Sequence, residues 1–115
     1  MNSIPTFSAE ISLYSDDNLG LRVECSEKLL PDVTAALSSA GFKCGAATIE
    51  VPGTVNISNW VAVPVEGSDI AGAQAALKTW LASTGTAVAE EVHMSPGEKH
   101  VKYNLLALSV FDKQA

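Results

Sequence analysis

Apolar and polar residues alternate in the first part of the chain, which is the pattern of half-buried β-strands. Residues 6–14 alternate in this way, and residues 21–25 repeat the pattern after a polar segment that ends at Gly20. A period of two places every second side chain on the same face of a sheet. The short polar link predicts that the two strands form an antiparallel hairpin.

Two later segments have the three- and four-residue spacing of amphipathic helices. In the first, Pro31 is compatible only with the first turn, so a helix is predicted over residues 31–40. The second helix is predicted over residues 69–83, with Ser68 as its N-cap and Gly85 after its last turn. Each helix has one apolar face that must pack against other elements.

Four further strands are predicted from alternation, apolar runs and turn residues. The turn at Pro96-Gly97 is short enough to fix the register of the last two strands. This register pairs apolar residues on one face and places a glutamate opposite a lysine on the other. The strands span residues 47–51, 60–65, 87–94 and 101–111. The predicted pairs are Val88 with Leu105, Val92 with Val101, Glu91 with Lys102 and His93 with His100.

The predicted order of elements is ββαββαββ, and its middle consists of two successive strand-helix-strand units. Right-handed crossovers of this kind within one sheet favour a ferredoxin-like split βαβ sandwich, an α+β fold. Both helices would then lie on one face of a mainly antiparallel sheet, which the first and last strands would extend. The whole chain, residues 1–115, is expected to form a single domain. This architecture hosts many functions and does not by itself indicate one.

The charge of the chain argues against two classes of partner. Seven basic and thirteen acidic residues give a formal net charge of −6, and Arg22 is the only arginine. Nucleic acids and anionic membranes are bound mainly through lysine and arginine, so neither is expected as a partner. Only 17% of the residues are charged, a low share that indicates an apolar surface for a protein partner or a second copy.

The beginning of the sequence and its two cysteines suggest a cytoplasmic protein. Residues 1–9 lack the positive charge and apolar run of a secretory leader. Cys25 and Cys44 are expected at opposite ends of the sheet, too far apart for a disulfide, and are interpreted as structural thiols. No nucleotide-binding or hydrolase motif is found, and no cofactor or enzymatic activity is expected.

His93, His100 and Glu91 form the sharpest candidate site for chemistry. The predicted hairpin places both imidazoles and the carboxylate on one face, where they could bind zinc or another divalent ion. A structural zinc site has four protein ligands, and no fourth is evident here. The alternative is that the three are solvated residues near a turn.

The leading hypothesis is a small non-enzymatic protein-binding domain. With both helices on one face, the other face of the sheet would be open, and the apolar last strand suggests that a partner or a second protomer covers it. Such a domain could be an inhibitor, immunity or adaptor protein of bacterial or phage origin. The alternative is a ferredoxin-like regulatory module that senses a small metabolite at a protomer interface. The candidate partner-binding residues are Trp60, Tyr103, Leu106, Leu108 and Val110.

Overall fold

Six strands and two helices make up the part of the chain that the structure, a computed structural model, describes: residues 10–17, 20–55, 57–85 and 88–105. Their order is ββαββαββ, as expected. The strands are β1 (Glu10–Asp16), β2 (Gly20–Ser26), β3 (Thr48–Val51), β4 (Trp60–Val65), β5 (Val88–Ser95) and β6 (Glu98–Leu105). The helices are α1 (Leu30–Ser39) and α2 (Ile70–Thr84).

The strands form one antiparallel sheet in the order β3-β4-β2-β1-β6-β5. The fold is therefore α+β, as predicted, but the positions of β1 and β6 differ from the expectation. These strands do not extend the sheet outward; they pair with each other in its middle and separate β2 from β5. β1 forms a hairpin with β2, and β6 forms a hairpin with β5. The pairing of β1 with β6 therefore joins the two hairpins into one sheet.

The register of the β5–β6 hairpin agrees with the sequence-based prediction. All four predicted pairs are present, including Val92 opposite Val101 and His93 opposite His100. Gly97 has a φ of +77°, a left-handed conformation that glycine adopts without strain, and it closes the turn between the two strands. The tight turn therefore determines which residues of this hairpin share a face.

The second helix begins one residue later than predicted. Asp69 is its N-cap, and one of its carboxylate oxygens accepts the backbone N–H of Gly72 at 2.8 Å. The expectation that Ser68 would cap the helix is therefore wrong, because the aspartate is the residue whose side chain reaches a free N–H of the first turn. Gly85 ends the helix with a φ of +75°, as expected.

The hydrophobic core lies between the sheet and the two helices, so one sheet face is covered. The odd-numbered residues of β1, β2, β4 and β6 point into this core, and residues of both helices pack against them. The strand residues in the core are Ile11, Leu13, Leu21, Val23, Cys25, Val63, Val65, Val101, Tyr103 and Leu105. The helix residues are Val33, Leu37, Ala73, Leu77 and Leu81.

Candidate binding site on the open sheet face

The sheet face opposite the helices carries a concave site of about 520 Å³, here called the open-face cleft. Its residues come from neighbouring strands, and most are at even-numbered positions, which alternate with the core positions. The alternation of side chains along each strand therefore places one set of residues in the core and the other set in the cleft. The cleft is lined by Glu10, Ser12, Tyr14, Arg22, Glu24, Val51, Trp60, His100 and Lys102.

Arg22 occupies the middle of the cleft and is held by two neighbours. Its Nε donates to one carboxylate oxygen of Glu24 at 3.0 Å. Its guanidinium carbon lies 4.8 Å from the ring centroid of Tyr14, the residue opposite it on β1, which is the geometry of a cation–π contact. The arginine is therefore preorganised before anything binds.

Trp60 forms one wall of the cleft. Its indole Nε1 donates to the second carboxylate oxygen of Glu24 at 3.1 Å, so this carboxylate orients both the indole and the guanidinium. Val51 lies opposite Trp60 because the pairing of β3 with β4 shifts by one residue between Ile49 and Val51. This bulge turns Val51 to the open face, since the added residue reverses the alternation beyond it.

His100 and Lys102 line the part of the cleft on β6. The His100 ring meets the Tyr14 ring edge-on, with centroids 5.1 Å apart. Burial is the main cause that lowers the pKa of His100 below 6.5; Lys102 and His93 lower it further, while Glu24 and Glu10 oppose the shift. A lowered pKa favours the neutral imidazole at the edge of the aromatic ring.

Glu10 fixes the polar end of the cleft. One of its carboxylate oxygens accepts the hydroxyl of Ser12 at 3.1 Å and lies 3.9 Å from the ammonium of Lys102. The carboxylates of Glu10 and Glu24 are thus each engaged by a cation of the cleft. The surface left for a ligand is mainly the indole, the phenol ring and the valine.

The last strand does not present the expected apolar surface on the open face over the residues that the structure describes. The part of β6 that faces outward carries His100, Lys102 and Asn104, because the apolar positions in this stretch alternate onto the core side. The predicted apolar positions Leu106, Leu108 and Val110 lie outside the described residues.

Two of the other predicted partner-binding residues separate to opposite sides of the sheet. Trp60 lines the open-face cleft, but Tyr103 is buried in the core with 0% of its surface exposed. The Tyr103 hydroxyl points at the backbone oxygen of Gln74 on α2, at 3.5 Å. Tyr103 therefore offers no surface to a partner, because it shares the core-facing parity of Val101 and Leu105.

The predicted metal site is also not formed. His93 lies opposite His100, with ring centroids 6.1 Å apart, but the Glu91 carboxylate is shared between His93 and Asn104. One of its oxygens lies 3.5 Å from His93 Nε2, and the other accepts the side-chain N–H of Asn104 at 2.7 Å. Within the described ranges, no group of three or more histidine, cysteine, aspartate or glutamate side chains could hold a metal ion.

The two cysteines are free and far apart, as expected. Cys25 lies opposite Val61 and Cys44 bridges to Val65, which are about 13 Å apart along β4. Burial, with a smaller contribution from Glu24, raises the pKa of Cys25 from 9.0 to about 12. Burial also raises the pKa of Cys44. Both thiols are thus held in their protonated, poorly nucleophilic form at neutral pH.

Sequence reasoning missed most of the cleft. Tyr14, Arg22, Glu24 and Val51 are not among the candidate site residues that the sequence predicts. Two signals were available: Arg22 is the only arginine of an acidic chain, and its strand position shares a face with Tyr14 once the first hairpin is in register. Val51 could not have been found, because its orientation depends on the bulge.

Comparisons with known proteins identify no relative that bears on function. The sequence matches no family model, and no curated protein matches it. Protein BT0572 from Bacteroides thetaiotaomicron, known from a crystal structure, is similar over 88% of this chain and 81% of its own, with 14% identity and a TM-score of 0.32. A likeness at this level supports no statement about function. No helix among residues 10–105 that the structure describes is both long and apolar enough to cross a membrane.

Proposed function

We propose that this chain is a non-enzymatic protein-binding domain that holds its partner in the open-face cleft. The observation that carries the proposal is the convergence of Trp60, Tyr14 and Arg22, from three neighbouring strands, on one concave surface. Tryptophan, tyrosine and arginine are the residues most enriched among the hot spots of protein interfaces. An inhibitor, an immunity protein or an adaptor would each act through such a surface.

The internal pairing of the charges supports a protein partner of particular chemistry. Glu24 engages Arg22 and Trp60, and Glu10 lies near Lys102, so the cleft has no uncompensated charge to attract a small ion. What remains accessible is aromatic and apolar surface with a polar rim, which is the composition of a protein interface. The partner is therefore expected to place an apolar or aromatic side chain against Trp60 and Val51.

The state of the thiols favours binding over catalysis. A cysteine nucleophile needs a lowered pKa, whereas burial raises the pKa of both Cys25 and Cys44. Cys25 is also fully buried on the covered side of the sheet, away from the cleft.

Affinity capture from the host cell with matched variants tests the proposal. Arg22→Ala removes a cation that contacts Glu24 in the cleft, and Lys78→Ala removes a cation that lies 3.8 Å from Glu90 on the other side of the sheet. A partner retained by the Lys78→Ala variant and lost by the Arg22→Ala variant would support the proposal. A partner retained equally by both would contradict it, provided that both variants melt near the wild-type temperature.

A second candidate, a module that senses a small metabolite, is favoured by the size of the cleft. A volume of about 520 Å³ lies within the roughly 300–1,000 Å³ of known ligand pockets. A metabolite that raises the melting temperature of the wild type, but not of the Trp60→Ala variant, would favour this candidate, because a ligand stabilises the state that binds it.

We further infer that β2 to β5 form a ferredoxin-like split βαβ core, and that β1 and β6 are inserted into the sheet of this core.

A further inference from the structure

The two edges of the sheet differ in how well they are protected against pairing with another strand. The β3 edge is short, contains the bulge at Ile49 to Val51 and is followed at once by Pro52. Short length, bulges, proline and charged side chains are among the devices that block pairing at sheet edges. The β5 edge has only the acidic side chains of Glu90 and Glu91: it is eight residues long, pairs with β6 without a register shift and contains no proline or lysine.

The turn before β6 determines which backbone groups of β5 point outward. A two-residue loop closes with a hydrogen bond between its flanking residues, here Ser95 and Glu98. Because bonded and non-bonded pairs alternate along an antiparallel ladder, the odd-numbered residues of β5 bond to β6. The N–H and C=O groups of Glu90, Val92 and Met94 therefore point away from the sheet, and none of the described strands lies on that side.

The side chains along the same edge are exposed, and two of them are apolar. Val92 is 47% exposed and Met94 is 73% exposed, both on the helix side of the sheet. The side chains of His93 and Glu91, on the open face, are 61% and 50% exposed. A long, regular edge with exposed apolar residues on one face and polar residues on the other is a candidate for strand addition.

We propose that two copies of this chain pair through their β5 edges, antiparallel and centred on Val92, to form a continuous twelve-stranded sheet. Twofold symmetry requires each residue to lie opposite a residue of the same face. Centres at Glu90, Glu91 or His93 would place an ionisable residue opposite its own copy. The centre at Val92 instead packs valine against valine and places Glu91 of each copy opposite His93 of the other.

This register also satisfies the outward backbone groups. Val92 would exchange two hydrogen bonds with its own copy, and Glu90 would exchange bonds with the Met94 of the second chain. The paired edge joins the two open faces without covering the clefts. The dimer is thus independent of the proposed function, and either proposal can fail without the other.

Cysteine cross-linking in a Cys44→Ser background tests the register directly. In a bonded pair the Cα atoms are about 5.5 Å apart, within the range of a disulfide, so the Val92→Cys variant should cross-link with itself under mild oxidation. The Met94→Cys variant should not, because its two copies would be about 13 Å apart along the strand. An equal mixture of the Glu90→Cys and Met94→Cys variants should form the mixed dimer.

Sedimentation of the unmodified chain gives the second measurement. A dimer is expected within the range of about 1 to 100 µM, and Val92→Pro should raise its Kd at least about tenfold, because proline at an outward N–H removes a bond to the copy and none to β6. His93→Glu should weaken the dimer about tenfold, and the double exchange Glu91→His with His93→Glu should restore it. A monomer throughout this range, or cross-linking of Met94→Cys with itself but not of Val92→Cys, would overturn the proposal.

Discussion

The two faces of the sheet come from the same strands but use their residues in opposite ways. On the covered face, Leu13 and Val23 lie opposite each other and are 0% exposed, with both helices packed above them. On the open face, the next pair along the same strands is Tyr14 with Arg22, a half-buried cation–π contact. One step along the strand thus changes a residue from a packing role to one available for recognition.

This difference explains why the open face can stay open. The cationic side chains of the cleft are paired within it, Arg22 with Glu24 and Lys102 with Glu10. Among the described residues, no buried side-chain nitrogen or oxygen lacks a hydrogen-bond partner. A face whose polar groups are satisfied needs no cover for stability. Its aromatic side chains, Trp60 and Tyr14, line the cleft, so under the proposed function one face serves stability and the other serves binding.

The largest contrast is expected between the two tyrosines. Tyr103→Ala removes a fully buried ring from the core and should lower the free energy of unfolding by about 3–5 kcal/mol. Tyr14→Ala removes a half-buried ring from the cleft and should cost less than about 2 kcal/mol. Urea unfolding monitored by circular dichroism compares the two variants, and equal losses would remove the proposed division between the faces.

High pH should act through the covered face. The pKa of Cys25 is raised from 9.0 to about 12, so below pH 9 the thiol is protonated in both states and its contribution to stability is complete. Above pH 9 the unfolded chain releases the proton first, and stability should fall by about 1.4 kcal/mol per pH unit. Burial also raises the pKa of Tyr103, which extends the loss above pH 10.

The Cys25→Ala variant separates this effect from other alkaline titrations. Its unfolding free energy should change less steeply than that of the wild type between pH 9 and 11, whereas a Cys44→Ala control should keep most of the slope because Cys44 is only partly buried. Parallel slopes for the wild type and Cys25→Ala would show that the thiol is not shielded.

Low pH should act through the open face, with a smaller effect. The pKa of His100 lies below 6.5, mainly through burial, so its neutral form contributes stability above pH 6.5 that is lost as the pH falls through the folded-state pKa. A His100→Gln variant should lose stability less steeply below pH 6.5. Proton NMR of the imidazole should give a lower pKa for His100 than for a histidine in an unfolded peptide, and an equal or higher value would contradict the account.

Local structure was predictable from the sequence, and long-range pairing was not. The β5–β6 register followed from the two-residue turn, and the limits of β4 were predicted to the residue. Nothing in the pattern indicated that β1 would pair with β6, because that contact joins strands from opposite ends of the described chain. The edges of the sheet, and with them the exposed position of β5, follow from this pairing.

The candidate site was partly predictable by the same reasoning. Trp60 was identified, but Tyr103 was named as a partner-binding residue although it shares its face with Val101 and Leu105, which were predicted to pair with apolar residues of β5. Strict use of the period of two would have placed it correctly. The expectation of an apolar open face rests on apolar residues after position 104, most of which lie outside the described residues, whereas the cleft is lined on β6 by His100 and Lys102.

The affinity of the captured partner for two tryptophan variants tests the central claim most directly. Trp60 lines the open-face cleft, whereas Trp80 lies on α2, which packs on the covered face of the sheet. The two variants therefore remove the same type of residue from opposite sides of the sheet. Trp60→Ala should weaken binding by at least about 30-fold, the effect of a hot-spot residue, while Trp80→Ala should leave Kd within about threefold of the wild type. Loss of binding in the Trp80→Ala variant alone, with both variants folded, would place the binding surface on the helices and contradict the account.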